Sequence, residues 1–301
     1  MSAAPLLADG PFVTDGGLET DLLFNHGFDL PEFAAFPLLE QAPGRSALDA
    51  YYDQYAAIAV AAGLGLLLET PTWRANPEWA ARLGYDLAAL DRVNRDAVAF
   101  MRRAGERWGV ERSLVAGVVG PRGDGYVAGA PADPDEAADY HVVQARSFAD
   151  AGVDLVHAMT ITTPEEGIGV VRAARSVGLP VAVSFTLETD GRLPDGSSLR
   201  AAMERVDDAA APDWFGINCA HPTHVAPAFD GGTWQERIGG IRPNASTLTH
   251  DELDVMDKLD AGDLPLLTSS FDGLRSHLPN LAVVGGCCGT DARHVAALWG
   301  V

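Results

Sequence analysis

The chain has 301 residues, 47% of them hydrophobic, and a formal charge of −21. That length accommodates one large domain or two small ones, and no apolar run approaches the roughly 18 residues of a membrane span. The negative charge reads as solubility and would repel phosphate backbones, which argues against a nucleic-acid or membrane partner.

The segment Met1 to Gly10 lacks a basic region ahead of its short apolar stretch, so it does not read as a secretory signal and the expected location is cytoplasmic. Short β-branched or apolar runs then alternate with longer helical patterns. Strands are expected at Pro11–Thr14, Leu64–Glu69, Leu114–Val119, Asp154–Ala158, Val181–Thr186, Trp214–Asn218, Ile238–Arg242 and Ala282–Gly285. Helices are expected at Ser46–Ala62, Asp86–Trp108, Pro134–Ala151, Pro164–Val177, Ser198–Ala209, His250–Leu259, Leu264–Ser276 and Ala292–Trp299. Thr163-Pro-Glu-Glu166 carries a hydroxyl cap, a proline at the first helical position and a glutamate placed to close a capping box. Gly63, Gly152 and Gly178 mark helix ends. Eight strands alternating with helices imply parallel pairing and a single (β/α)8 TIM barrel over residues 1–301, an α/β fold. A doubly wound open sheet competes, but no Gly-x-Gly-x-x-Gly follows the first strand.

A lone lysine, Lys258, is flanked by Asp257 and Asp260. It should stay charged and solvated, which removes Schiff-base chemistry. No Gly-Lys-Ser/Thr P-loop exists either. A barrel places its chemistry just after the strands, and the unusual residues fall there: Asp15-Gly16-Gly17, Glu69-Thr-Pro-Thr-Trp73, Gly120-Pro121, Cys219 and Gly285-Gly-Cys-Cys-Gly289.

The cysteines number three, Cys219, Cys287 and Cys288, so they form no paired disulfide framework. Placed after strands six and eight, they can converge at one barrel mouth. Three thiolates with a vacant fourth position describe a catalytic zinc site, because structural sites are closed by four protein ligands. Adjacent ligands demand a sharp turn, for which Gly285, Gly286 and Gly289 give the freedom. Buried structural cysteines or a vicinal disulfide are the alternatives, as is a mixed zinc hydrolase using His221 and His224 from Cys219-Ala-His-Pro-Thr-His224. Those histidines read better as supporting or loop residues.

Thr14-Asp-Gly-Gly-Leu-Glu-Thr-Asp21, Gly216-Ile-Asn-Cys-Ala220 and Gly285-Gly-Cys-Cys-Gly-Thr290 resemble the homocysteine S-methyltransferase family over residues 12 to 295. The resemblance implies a zinc barrel that methylates homocysteine or a related thiol, with Cys219, Cys287 and Cys288 as zinc ligands and a small-molecule thiol and methyl donor as partners. Asp15, Gly16, Gly17, Met159, Trp73 and Asn244 are expected to bind substrate. Met159 stands where the family has an acidic residue after strand four that helps hold the substrate's amino group. A thioether does not neutralise an ammonium. The acceptor therefore either lacks that group or meets a carboxylate elsewhere, with Asp15 and Glu188 as candidates. Asp21 stands for the family's acidic residue shortly after Asp-Gly-Gly, one methylene shorter.

Trp73 is either a cation–π face for a cationic methyl donor or rim packing. Arg122 is either a carboxylate binder or a solvated loop residue, and Asn244 is either a pocket residue or turn chemistry. No long insertion suggests a cobalamin or folate domain, so a small donor such as S-methylmethionine, S-adenosylmethionine or a betaine is expected. A non-catalytic zinc-binding barrel, a metal store or sensor, is the alternative reading. The sequence does not determine the oligomeric state.

Overall fold

The computed structural model of the protein describes residues 5–129 and 133–301. Eight parallel strands close into a barrel in sequential order: β1 Phe12–Val13, β2 Gly65–Glu69, β3 Ser113–Val119, β4 Leu155–Ile161, β5 Val181–Phe185, β6 Trp214–Asn218, β7 Ile238–Arg242 and β8 Val283–Val284. The outer ring is α1 Ala42–Ala62, α2 Leu87–Arg107, α3 Pro134–Ala151, α4 Pro164–Ser176, α5 Leu199–Ala210, the single turn α6 Pro222–Val225, α7 Leu264–Arg275 and α8 Ala292–Trp299. Among the described residues no helix is long and apolar enough to cross a membrane.

The helix boundaries follow the expected chemistry. Thr163 Oγ1 accepts from the Glu166 amide at 3.3 Å, and Gly63 and Gly152 end α1 and α3 in the left-handed region. Three expectations need correction. Glu166 does not close a capping box, because its carboxylate turns to the Arg122 amide and to buried His141 instead. The helix expected to run to Leu259 stops at Asp254. A one-turn helix between β6 and β7, capped by the His221 side chain, has too short a pattern to be seen in sequence.

The fourth correction bears on the site. Strand β4 continues past Ala158 through a register shift against β5 and ends at Ile161. Met159 therefore lies on the strand, and Thr160 takes a left-handed φ of 60°. Bulges of this kind re-aim side chains beside active sites.

Side chains alternate along each strand, so the barrel interior is built in layers. At the N-terminal end Phe12, Leu67, Ala116, Leu155, Ala182, Trp214 and Val283 form an apolar plug closed by Leu7. Two residues further along, the interior turns polar: Thr14, Glu69, His157 and Ser184 are all nearly inaccessible. Gly216 leaves space there, since a Cβ would fall 2.2 Å from Ser184 Oγ. The outer strand faces and helices share one large apolar core.

That outer packing generates a stability test. A Cβ at Gly117 of β3 would lie 2.4 Å from the ring of fully buried Phe148 on α3. Gly117→Ala should cost about 1–3 kcal/mol by overpacking, read as a lower urea midpoint at unchanged slope. Phe148→Leu in the same chain should recover part of the loss.

Candidate metal centre and its cavities

The Cys219, Cys287 and Cys288 sulfurs lie within 4.8 Å of one another at the C-terminal mouth, a cluster able to hold a metal ion. All three cysteines are free. Cys219, one residue past β6, itself adopts a left-handed φ of 57°, and its amide donates to the Arg242 carbonyl at 3.0 Å. A cysteine in that region is strained and must be held by its surroundings. Cys287 is fixed by its amide to the Pro243 carbonyl at 2.8 Å, while its own carbonyl accepts from Thr290 Oγ1 at 2.7 Å. Of the three glycines expected to free this turn, only Gly289 is left-handed, at φ 77°. Gly286 serves close approach instead, because a Cβ would fall 2.0 Å from Thr290 Oγ1. Gly17 plays the matching part from the β1 loop, where a Cβ would meet the Cys287 carbonyl at 2.5 Å.

Polar hydrogens converge on the sulfurs. The Tyr126 hydroxyl lies 3.1 Å from Cys219 Sγ and 3.5 Å from Cys288 Sγ. Asn244 points its amide nitrogen to Cys219 Sγ at 3.8 Å, and Asn218 does the same to Cys287 Sγ. Hydrogen bonds from the other two thiols, helped by the Arg242 guanidinium, pull the Cys287 thiol well below its ordinary range. Burial keeps Tyr126 a phenol, with the neighbouring cysteines adding to the effect.

Beneath the sulfurs sits a buried ion cluster. Arg242, at the end of β7, contacts Glu69 and pairs with Asp15 at 2.7 Å. It also donates to the Gly286 carbonyl at 2.7 Å and the Gly16 carbonyl at 2.9 Å. One guanidinium thus ties the β1 loop to the cysteine loop. Glu69 is held further by Thr14 Oγ1 at 2.6 Å and His157 Nδ1 at 2.5 Å. Burial pushes the His157 pKa down to about 3. The neutral ring therefore donates from Nδ1 to Glu69 and accepts at Nε2 from Ser184 Oγ, 2.7 Å away. Burial raises the Asp15 carboxyl to about 6 even against the pull of Arg242.

Two cavities border the adjacent cysteine pair and share Cys288. An inner one of about 60 Å³ is lined by Asp15, Gly16, Gly17, Glu19, Met159 and Cys287, among others. An outer one of about 380 Å³ shares Trp73, Tyr126 and Cys288 with it and adds Arg74 and Asn244. Trp73 Nε1 donates to the Met159 carbonyl at 3.3 Å, so Trp73 forms part of the wall between them.

Of the residues singled out in the sequence, Asp15, Gly16, Gly17, Met159 and Trp73 gather in the inner cavity, and Asn244 faces the outer one. Asn244 combines both expected roles, since its Oδ1 accepts from the Ser246 amide at 3.0 Å in a local turn. Asp21 does not face the cavity. Its oxygens are taken by Asn25 at 2.8 Å and His26 at 3.2 Å, and Glu19 lines the cavity instead. Glu188 is drawn away by His250, at 3.1 Å. The other nitrogen of that ring contacts the Cys219 carbonyl at 2.8 Å. Burial opposes protonation of His250, but these two contacts outweigh it and raise its pKa. Arg122 lies 3.5 Å from Glu166, and Tyr126 of the same loop is the residue that reaches the sulfurs. His221 and His224 bond to Thr223 and the Thr247 carbonyl, outside the metal cluster.

Sequence reasoning missed Arg242, His157, Tyr126, Glu19 and Asn218. A signal existed for three side chains of the ion cluster. Glu69, His157 and Arg242 are ionisable residues within or ending strands whose neighbours are apolar or glycine.

The profile described as homocysteine S-methyltransferase matches residues 12–300. The metallated Escherichia coli homocysteine methyltransferase MmuM superposes with a TM-score of 0.71 at 21% identity, covering 98% of both chains. Its oxidised form gives 0.71 at 23%, covering 98% of this chain and 97% of that one. These likenesses establish the fold. The methionine synthase of Mycobacterium tuberculosis is 28% identical over 243 residues, 76% of this chain but 19% of that protein. That of Mycobacterium leprae is 30% identical over 169 residues, 52% of this chain and 13% of that protein. The chain spans under a fifth of the length of these curated relatives.

Arg242→Met tests the ion cluster. Removing the guanidinium leaves Asp15 and Glu69 as buried, unpaired carboxylates and should cost about 3–5 kcal/mol at pH 7. An unpaired Asp15 has a folded pKa far above its unfolded one, so the folded state takes up the proton. The penalty should therefore shrink as pH falls from 7 to 5. Urea unfolding at both pH values measures it, and equal losses would contradict the arrangement.

Proposed function

The chain belongs to the homocysteine S-methyltransferase family, and from that membership and the site's geometry we propose that it moves a methyl group from a small sulfonium or ammonium donor to a thiol such as homocysteine. The observation that carries this reading is the cysteine triad, whose Cys288 lines two adjacent cavities. A metal store or sensor needs the sulfurs but not the cavities.

Zinc suits the three soft sulfurs, with Cys219, Cys287 and Cys288 as its protein ligands. When bound, it lowers the acceptor thiol's pKa so that the sulfur is a thiolate at neutral pH. The chain's own residues do the rest. Tyr126, Asn244 and Asn218 offer hydrogens to the ligand sulfurs, which favours their charged form. Arg242 fixes the relative position of the Asp15-Gly16-Gly17 loop and the cysteine loop. Trp73 and Tyr126 line both cavities and so border the path the methyl group takes. The acceptor sulfur attacks the methyl carbon in line and forms the new S–C bond. The donor's C–S or C–N bond breaks, its electron pair stays on the departing heteroatom, and the thiol's own proton goes to solvent. No protein nucleophile is required.

The acceptor's ammonium, where present, meets Glu19. Asp15 and Glu69 are committed to Arg242, whereas Glu19 lines the inner cavity with no ion pair among the described residues. Burial raises its carboxyl to about 7, so a cationic partner would stabilise its charged form. Three reduced ligands also suit a cytoplasmic location.

The decisive experiment incubates zinc-loaded protein with homocysteine and each of S-methylmethionine, S-adenosylmethionine and glycine betaine, and reads methylated thiol by mass spectrometry. Absence of product with all three donors would sink the reading. Purified protein should carry about one zinc per chain, and Cys287→Ala/Cys288→Ala should lose it. Full occupancy in that variant would overturn the ligand assignment. Glu19→Gln should lower the kcat/KM ratio of homocysteine to 4-mercaptobutyrate about tenfold. An unchanged ratio would place the ammonium elsewhere.

A further inference from the structure

We propose that Arg74 anchors the carboxylate of the methyl donor in the outer cavity, so that the donor is a zwitterion carrying both a methylated cation and a carboxylate. The ligand's identity as a donor rests on the methyl-transfer reading. The anion site itself rests on Arg74.

The guanidinium is held flat against aromatic rings. Its Cζ lies 3.5 Å over the Trp79 ring and 4.6 Å from the Trp73 ring. Arg82 stacks on Trp79 as well, at 4.1 Å, and is itself paired with Glu78 at 2.8 Å. Among the described residues Arg74 has no such partner. Its Nε and Nη1 are buried without any hydrogen bond, and Arg74 forms no hydrogen bond or ion pair among the described residues. A buried donor left unpaired in a native protein calls for an explanation. A planar guanidinium stacked on aromatics is the side chain best suited to grip a carboxylate.

The location assigns the ligand. Arg74 lines the outer cavity, whose shared wall with the inner one includes Cys288, Trp73 and Tyr126. At about 380 Å³ against about 60 Å³, the outer cavity has room for the bulkier of the two substrates. Asp124, Asp254 and Asp260 also line it. A plain anion would be repelled by those carboxylates, and a plain cation would leave Arg74 unmatched. A zwitterion satisfies both, with its cation lying towards the aromatic wall and the sulfurs. Lys258 lines the same cavity but is exposed and flanked by Asp257 and Asp260, so its charge is already screened.

The test uses zinc-loaded protein and tryptophan fluorescence, which Trp73 and Trp79 report directly. S-methylmethionine and glycine betaine are titrated beside their methyl esters, which keep the cation and lose the carboxylate. The acids should bind about tenfold or more tightly than the esters. Arg74→Gln should abolish that gap while leaving ester binding and thermal unfolding unchanged. Esters binding as tightly as acids in the native protein would overturn the proposal without any variant, as would failure of both acids to bind. It also falls if the gap survives Arg74→Gln but is lost in Lys258→Ala. It falls equally if Arg74→Gln instead removes a preference for homocysteine over 3-mercaptopropylamine, which would assign the carboxylate to the acceptor. Carboxylate-selective binding without thiol methylation would leave the anchor standing and refute the methyl-transfer reading. Methylation with no acid-over-ester preference would do the reverse.

Discussion

The structure depends on one buried cation. Arg242 stands at the end of β7 with its guanidinium enclosed by the barrel, where a lone charge would be prohibitively unfavourable. Asp15 and Glu69 neutralise it, and the carbonyls of Gly16 and Gly286 accept its remaining hydrogens. Those carbonyls belong to the two loops that shape the site. Burying the cluster is therefore also what fixes the distance between the Asp-Gly-Gly turn and the cysteine pair. Beneath it the polar layer passes from Glu69 through neutral His157 to Ser184, so each buried donor along that line has an acceptor. The apolar plug at the opposite end supplies the hydrophobic burial that the polar layer gives up.

Most of the barrel was legible because its signals are local. Strand runs, caps and terminal glycines each announce themselves within a few residues, and the eightfold alternation turns them into one topology. The cysteines were legible because residue type limits their chemistry and the barrel rule limits their position. What stayed hidden depends on contacts far apart in the chain. Nothing near Met159 reveals that β4 bulges and carries it into the cavity wall. Nothing near Tyr126 reveals that it reaches Cys219, since that loop's length and glycines allow many courses. Asp21 and Glu19 are two residues apart in one short helical stretch, and only their observed partners tell which faces the cavity. Arg74 reads as an ordinary loop arginine until both tryptophans are seen against it.

The methionine at 159 and the arginine at 242 suit one another. Met159 Sδ lies 3.7 Å from Arg242 Nη1, so an acidic residue at 159 would add a third carboxylate beside a guanidinium already shared by two. His157 cannot balance that charge, because burial holds it neutral. One of the three carboxyls would have to keep its proton or the layer would carry a buried, unpaired charge, either of which costs stability. A neutral thioether avoids the conflict and fills the space with a flexible, polarizable group.

That arrangement has a consequence for recognition. Asp15 is committed to Arg242 and the Met159 thioether carries no charge, so neither is placed to neutralise an ammonium. In the proposed reaction, charge complementarity for the acceptor falls to Glu19, on the turn after Gly16-Gly17, and that for the donor falls to Arg74. Among the described residues both are free of direct ion partners, and they border the two cavities that share Cys288. The deep charges thus hold the loops together, and the shallower ones remain available to ligands. Specificity then rests on residues that can change without dismantling the buried cluster, whereas the metal-binding geometry rests on residues that cannot.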